Sequence, residues 1–279
     1  MKNSLTRRGS TKASKPKIII YCEGKNTEPS YLERLKKNCD VTPVPVKGAG
    51  IGSCISFVND VEKKWNNLPA KEKGKYSHKW MMFDYDGHKD FADAIKLARS
   101  KGFGVAFSSM CIEYWFLLHF EDNRGNSIPM VNGSHSQAQI DKINHYINLY
   151  NQNILKNKLK IKPIPSYDPN SKTIEDVFFD FLLAVDDVYK KRRIVLAFER
   201  AKCIHERKKI NGDEFSESVT TIYELLIELG VFKSKELFQG HDVHTTKKNN
   251  KTTKYYNKED QQIEIEDFSK IEIEYQYNE

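Results

Sequence analysis

The chain lacks any apolar run approaching the roughly 20 residues that a membrane-spanning helix needs. It also lacks a GxxxxGK[ST] loop, so ATP use would have to come from another protein. Five cysteines, Cys22, Cys39, Cys54, Cys111 and Cys203, form no CxxC pair and no Cys/His group at zinc spacing. Their odd number and scatter argue against a disulfide framework and a zinc module, and for reduced thiols. The N-terminal stretch MKNSLTRRGSTKASKPK has no apolar segment behind it long enough for a secretory signal. No internal repeat is found. These absences lead to the expectation of a cytoplasmic protein without membrane contact.

What is present describes a globular chain of 279 residues, 39% hydrophobic and 30% charged, long enough for one large domain or two ordinary ones. The net charge of +7 is concentrated: Lys2, Arg7, Arg8, Lys12, Lys15 and Lys17 stand in the first 17 residues without an acid, and removing those six leaves +1. A basic arm suits nucleic-acid phosphates, and a solvated tail suits the same composition.

Along the chain, IIIYC (18–22) reads as a buried strand. Thr27 suits an N-cap and Pro29 the first turn of a helix running to about Asn38. The proline-bearing VTPVPV (41–46) suits an edge strand. After a KGAGIGS loop, Ile55, Val58, Val61 and Trp65 keep helical spacing. KWMMFDYD (79–86) is a second apolar run ending in acids, KDFADAIKLARSKG an amphipathic helix, FGVAFSS (103–109) a strand and CIEYWFLLHF (111–120) an apolar helix. Alternating strand and helix implies a parallel sheet with helices on both faces, with active groups beyond the carboxyl ends of the strands. From about 135, four segments carry only helical periodicity: 136–152, 173–189, 192–209 and 218–232. In the tail, HTTKKNNKTTKYYNK is expected to be flexible, and QIEIEDFSKIEIEYQY, alternating apolar and acidic residues, to form a strand, a hairpin or a partner-binding extension. The expected domains are a basic arm (1–17), a sheet domain (18–130), a helical region packed on or completing it (131–240) and the tail (241–279).

Chemistry is suggested where strands end. Asp84 and Asp86, two apart, can face one space, and a strand order of 2-1-3-4 would bring Glu23 and Glu28 beside them. Four converging carboxylates repel one another unless a hard divalent cation occupies the space, which suits Mg²⁺ or Mn²⁺ shared with a substrate phosphate. Gly24 allows a sharp turn after Glu23. His88, on the following loop, is either a ligand, proton carrier or phosphate contact, or a turn residue. Glu28 is equally suited to the helix dipole. Glu113 interrupts an apolar run, so it belongs to the site or is bonded to a partner such as His119 or an arginine.

Glu23-Gly24 followed by Asp84-Tyr85-Asp86 looks like the Toprim fold. YCEGKNTEPSYL, MMFDYDGH and SSMCIEYWFLLHFE, with the later ESVTTIYELLIEL as a closing Thr-Thr-hydrophobic helix, resemble the RloB-like family found beside prokaryotic restriction and abortive-infection genes. The resemblance covers roughly 18–230. It departs from the family at Ile112, where members often have Phe, and has no match in 150–215 or beyond 240. It implies a metal-dependent Toprim-type nuclease of anti-phage defence. Carried over, Glu23, Asp84, Asp86 and His88 are catalytic, and Glu23, Glu28, Asp84, Asp86 and Glu113 hold Mg²⁺ or Mn²⁺. Glu28 matches the second acid of the EGxxE pattern in overcoming-lysogenization-defect nucleases. Lys25 and Lys89 are the candidate nucleic-acid contacts. The alternatives are a partner-gated nucleic-acid-binding effector without cleavage of its own, held by an ATPase from the same operon, and a nuclease for transfer RNA. DNA and RNA are not distinguished, and a homo-oligomer is compatible with the sequence.

Overall fold

A computed structural model describes residues 15–48, 52–85, 87–131, 134–158, 160–168, 174–238, 241–247, 253–256, 262–263 and 271–278. The basic arm up to residue 14 and Asp86 lie outside the described residues. No helix among the described residues is long and apolar enough to cross a membrane.

The first half is α/β. Strand β1 (Lys17–Cys22) leads through the Glu23-Gly24 turn into helix α1 (Thr27–Leu35), which a 3-10 turn extends to Asn38. The helix begins one residue earlier than the sequence suggests, because Asn26 rather than Thr27 takes the capping position. Next come β2 (Thr42–Val46), α2 (Cys54–Asn67), the short α3 (Ala70–Lys73), β3 (His78–Asp84), α4 (Phe91–Ser100), β4 (Gly104–Ser108) and α5 (Ile112–Leu117). All four strands pair in parallel in the order β2-β1-β3-β4. β1 and β3 are therefore adjacent, and their acid-bearing ends lie side by side.

Burial explains the continuous apolar runs: Ile18 to Cys22 and Trp80 to Phe83 are all buried, as strands covered on both faces require. Phe83 packs on Phe57 of α2 and Phe91 of α4. A second layer centres on Tyr31 of α1, whose ring meets Phe116 of α5 and whose hydroxyl accepts from the Trp115 indole at 2.9 Å.

The second half contains α6 (His135–Lys156), α7 (Asp176–Leu183), α8 (Arg193–Ile210) and α9 (Ile222–Glu228). Helix α7 is half as long as its apolar pattern suggests. After Leu183 the chain turns extended, and Val185, Val188 and Tyr189 stand exposed on a loop held where Asp186 and Lys191 bond through their backbones. Thr220 and Thr221, expected inside a helix, instead lie antiparallel to the edge of β4. Thr221 exchanges bonds with Phe107: its amide donates to the Phe107 carbonyl at 2.9 Å, and its Oγ1 accepts from the Phe107 amide at 3.0 Å.

A second sheet follows, antiparallel and in the order β8-β7-β6-β5-β9, from β5 (Phe232–Phe238), β6 (His241–Lys247), β7 (Thr253–Tyr256), β8 (Gln262–Ile263) and β9 (Ile271–Tyr277). The polar stretch from 241 expected to be flexible thus contains two paired strands, β6 and β7. They pair antiparallel as neighbours in sequence, with Lys247 opposite Thr253, through residues too polar to carry the alternating pattern of a half-buried strand. The alternating segment does supply a strand, β9, which pairs with β5 along seven residues.

Candidate active site

The Glu23-Gly24 turn is fixed from three sides. The Glu23 amide donates to the Met82 carbonyl at 2.9 Å, extending the β1–β3 ladder by one rung. The Glu23 carboxylate accepts from the Asp84 amide at 3.3 Å, so the acids at two strand ends are joined through backbone. From the β2 side, Gly48 presses on the turn: a Cβ there would stand 2.0 Å from the Glu23 carbonyl oxygen, and the Gly48 amide donates to the Gly24 carbonyl at 3.3 Å.

Glu28, on the first turn of α1, folds back over this turn. Its Oε1 accepts from the Gly24 amide at 3.1 Å, and the residue is only 7% exposed. Burial pushes the Glu28 carboxyl up to about 7, with the like charges of Glu113 and Glu23 adding to the rise and the backbone amides of Glu28 and Gly24 opposing it. Three carboxylates therefore share one electrostatic neighbourhood.

Asp84 closes β3. Its Oδ2 accepts from the Ile112 amide at 2.9 Å, satisfying one of the free donors at the start of α5. One residue on, Glu113 is 5% exposed, and its Oε1 accepts from the Tyr167 hydroxyl at 2.8 Å. The partner of this buried acid is thus a tyrosine. His119 instead places Nδ1 2.9 Å from the Trp115 carbonyl, and burial lowers it to about 3, leaving a neutral core histidine. Cys111, beside the same acids, is buried with its thiol 2.9 Å from Gln139 Oε1; burial, then the Glu113 and Asp84 charges, raise it well above the usual thiol range. It is a packed thiol rather than a nucleophile.

Tyr167 carried no sequence signal, because it lies in an irregular segment. That segment is clamped to α6 by two asparagines seven residues apart. Asn144 bonds both the amide and the carbonyl of Tyr167, at 2.7 and 3.1 Å, and Asn151 does the same for Ile164, at 2.8 Å each. Burial and then the Glu113 charge raise the Tyr167 phenol, which keeps its proton to donate.

The remaining expected residues lie around this centre. His88 is half-buried in the turn after β3, beside Asp90. Asp90 accepts from the Ile55 amide of α2 at 3.0 Å, and that bond is the main reason its carboxyl lies below the ordinary value. Lys25 and Lys89 are exposed on the turns following β1 and β3.

The donors present are carboxylate oxygens, the ligand chemistry of Mg²⁺ or Mn²⁺. Among the described residues no three His, Cys, Asp or Glu side chains stand together as a complete ligand set. That suits an ion held by one or two carboxylates, with water and substrate phosphate filling its remaining positions. A buried carboxyl raised to about 7 by burial and like charges fits the same ion, whose charge would offset both effects.

In comparison with known proteins, a family model described as RloB-like protein matches residues 18–229. No curated protein and no solved structure matches the chain.

Proposed function

The chain belongs to the RloB-like family, and from that membership and the acids grouped at the ends of β1 and β3 we propose a metal-dependent Toprim-type nuclease that cleaves phosphodiester bonds of nucleic acid in prokaryotic anti-phage defence. The observation that carries this reading is the buried Glu28 carboxylate, folded back onto the Gly24 amide at the same turn where Glu23 accepts from the Asp84 amide. Such a group is costly in a merely structural role and useful where a cation and a phosphate are to be held.

Of Glu23, Glu28, Asp84 and Glu113, and of Asp86 two residues after Asp84, one or two carboxylates would hold Mg²⁺ or Mn²⁺ directly and the others would add negative charge around it. When bound, the ion supplies positive charge to the phosphoryl oxygens as negative charge builds there. The protein's own groups do the rest. The Asp84 amide orients Glu23, and the Ile112 amide orients Asp84. Tyr167 holds Glu113. Glu23 and His88 are the groups to exchange protons with the attacking water and the leaving oxygen.

The test is cleavage of plasmid DNA, single-stranded DNA and total cellular RNA by wild type and Glu23→Gln, with Mg²⁺, Mn²⁺ or EDTA. Cutting that needs both the metal and Glu23 supports the proposal and names the substrate class, transfer RNA included. Cutting that survives EDTA or the substitution overturns it.

A second reading, a partner-gated effector without cleavage of its own, is favoured by one observation: β9 stands at the end of its sheet with Glu272 and Glu274 along it, a strand edge suited to a partner. An ATPase partner would supply the nucleotide chemistry the chain lacks. Cleavage that appears only with the neighbouring gene product present would favour this reading.

A further inference from the structure

A cleft of about 610 Å³ opens between α1 and α7, on the β2 side of the Glu-Gly turn. Its polar rim includes Asn26, Ser30, Arg34, Lys37 and Lys47, and Phe179 contributes an apolar wall. Two of these residues tie it to the acids. Asn26 follows Gly24 by two positions, and Lys47 precedes Gly48, whose backbone rests against Glu23 and Gly24. The first turn of α1 therefore has the acid centre on one side, through Glu28, and this cleft on the other, through Pro29 and Ser30.

The charges of the rim are unevenly committed. Arg34 is paired with Asp176 and also donates to the Ile174 carbonyl, which holds α1 against the start of α7. Glu33 is paired with Lys36. Lys37 and Lys47 are exposed, with the exposed Asp180 on the far wall as the remaining acid. Lys25, also exposed, extends the line of cations along the turn.

We infer that this cleft receives a single nucleic-acid strand flanking the scissile phosphate, with Lys37 and Lys47 on its phosphates and the Asn26 amide facing its polar groups. The volume is that of a small-ligand cleft, which seats a stretch of single strand and not a duplex. Lysine is suited to phosphate as a compact point charge, and asparagine amides can both donate and accept, so the site tolerates many sequences. This rests on the nuclease reading for the identity of the neighbouring site, while its test measures binding without cleavage.

The experiment uses the full chain carrying Glu23→Gln, in EDTA, and follows anisotropy of a fluorescein-labelled 12-nucleotide DNA strand, an RNA strand of the same sequence, and a blunt DNA duplex. Binding is compared with that of Lys37→Gln/Lys47→Gln and of Lys63→Gln/Lys96→Gln, which removes equal charge from the exposed outer faces of α2 and α4. The expected result is single-strand binding tighter than duplex binding. The Lys37/Lys47 pair should also flatten the slope of log K against log salt by about 1.4, since each single-strand phosphate contact contributes about 0.7. The DNA and RNA arms show which strand is preferred. No binding, equal binding of duplex, or equal slopes for the two double variants would overturn the inference. Failure of the cleavage test above would leave these outcomes untouched.

Discussion

The carboxylate of Glu28 occupies the space that a β-carbon on Gly24 would need. A Cβ built there lies 2.2 Å from Glu28 Oε2 and 2.6 Å from Oε1, while the Gly24 amide donates to Oε1. The glycine of the Glu-Gly turn is required for the room it leaves to an acid four residues on. Gly24→Ala should therefore displace the Glu28 carboxylate, the far end of a flexible side chain, with little loss of stability beyond its bond to the Gly24 amide. Nuclease activity should fall as far as in Glu28→Ala. Thermal unfolding and cleavage measured together check this; full activity in Gly24→Ala would show that Glu28 does not act from its observed position.

Glu28 also makes stability depend on pH. Its carboxyl titrates near 7 in the folded chain and at an ordinary value of 4.5 otherwise. Between those values the native state binds the additional proton, so this group's contribution to stability is fully present below 4.5 and is lost as pH rises through 7. In EDTA the melting temperature of wild type should fall more steeply from pH 5 to pH 8 than that of Glu28→Gln. Added Mn²⁺ should raise the wild-type value at pH 8 more than that of the variant. Parallel pH curves would mean that the proton is bound elsewhere.

Asp84 has two functions that substitution can separate. Its Oδ2 accepts from the Ile112 amide at the start of α5, and its charge faces the proposed metal. Asn keeps an acceptor and Ala keeps none. Asp84→Ala should cost about 1 kcal/mol of stability, the usual loss for an N-terminal cap, and Asp84→Asn much less. Both should abolish cleavage. Urea unfolding sorts the structural loss from the chemical one, and an active Asp84→Asn would remove Asp84 from the catalytic set.

Tyr167 and Glu113 form a buried charged hydrogen bond between an irregular segment and α5. Removing the hydroxyl leaves the acid without that donor, so Tyr167→Phe should cost about 1.5–3 kcal/mol, the range for bonds to charged groups. In a cycle with Glu113→Gln the two losses should be non-additive by at least 0.5 kcal/mol. Strict additivity would show that the two groups do not interact in solution.

The strand ends were legible because apolar runs that stop at an acid leave little ambiguity: Cys22-Glu23 and Phe83-Asp84 both mark where the sheet ends. Glu113 was legible by contrast, as a lone charge in a buried helix. What escaped depends on contacts distant in sequence. Tyr167 reaches Glu113 across 54 residues, through a segment whose shape is set by Asn144 and Asn151, and nothing in its own neighbours distinguishes it. The Thr220-Thr221 pair reads as helix because an apolar period begins nearby. The hydroxyls find partners on β4 instead, at the Phe107 and Val105 carbonyls. Helix α7 stops early because the apolar residues beyond it, Val185, Val188 and Tyr189, face solvent, which periodicity cannot distinguish from burial.

The segment that lies along β4 also governs what can be added to the parallel sheet. On that side the outer backbone of β4 is taken up by 219–221. On the other, β2 directs the Thr42 amide inward to the Pro16 carbonyl, so Pro43 and Pro45 stand where outward donors would be. Both margins of the sheet are thus terminated, one by a strap of its own chain and one by missing N–H groups. Self-templated growth into ordered polymers is blocked at the very sheet that carries the acids, so even at high local concentration one copy's parallel sheet cannot extend another's.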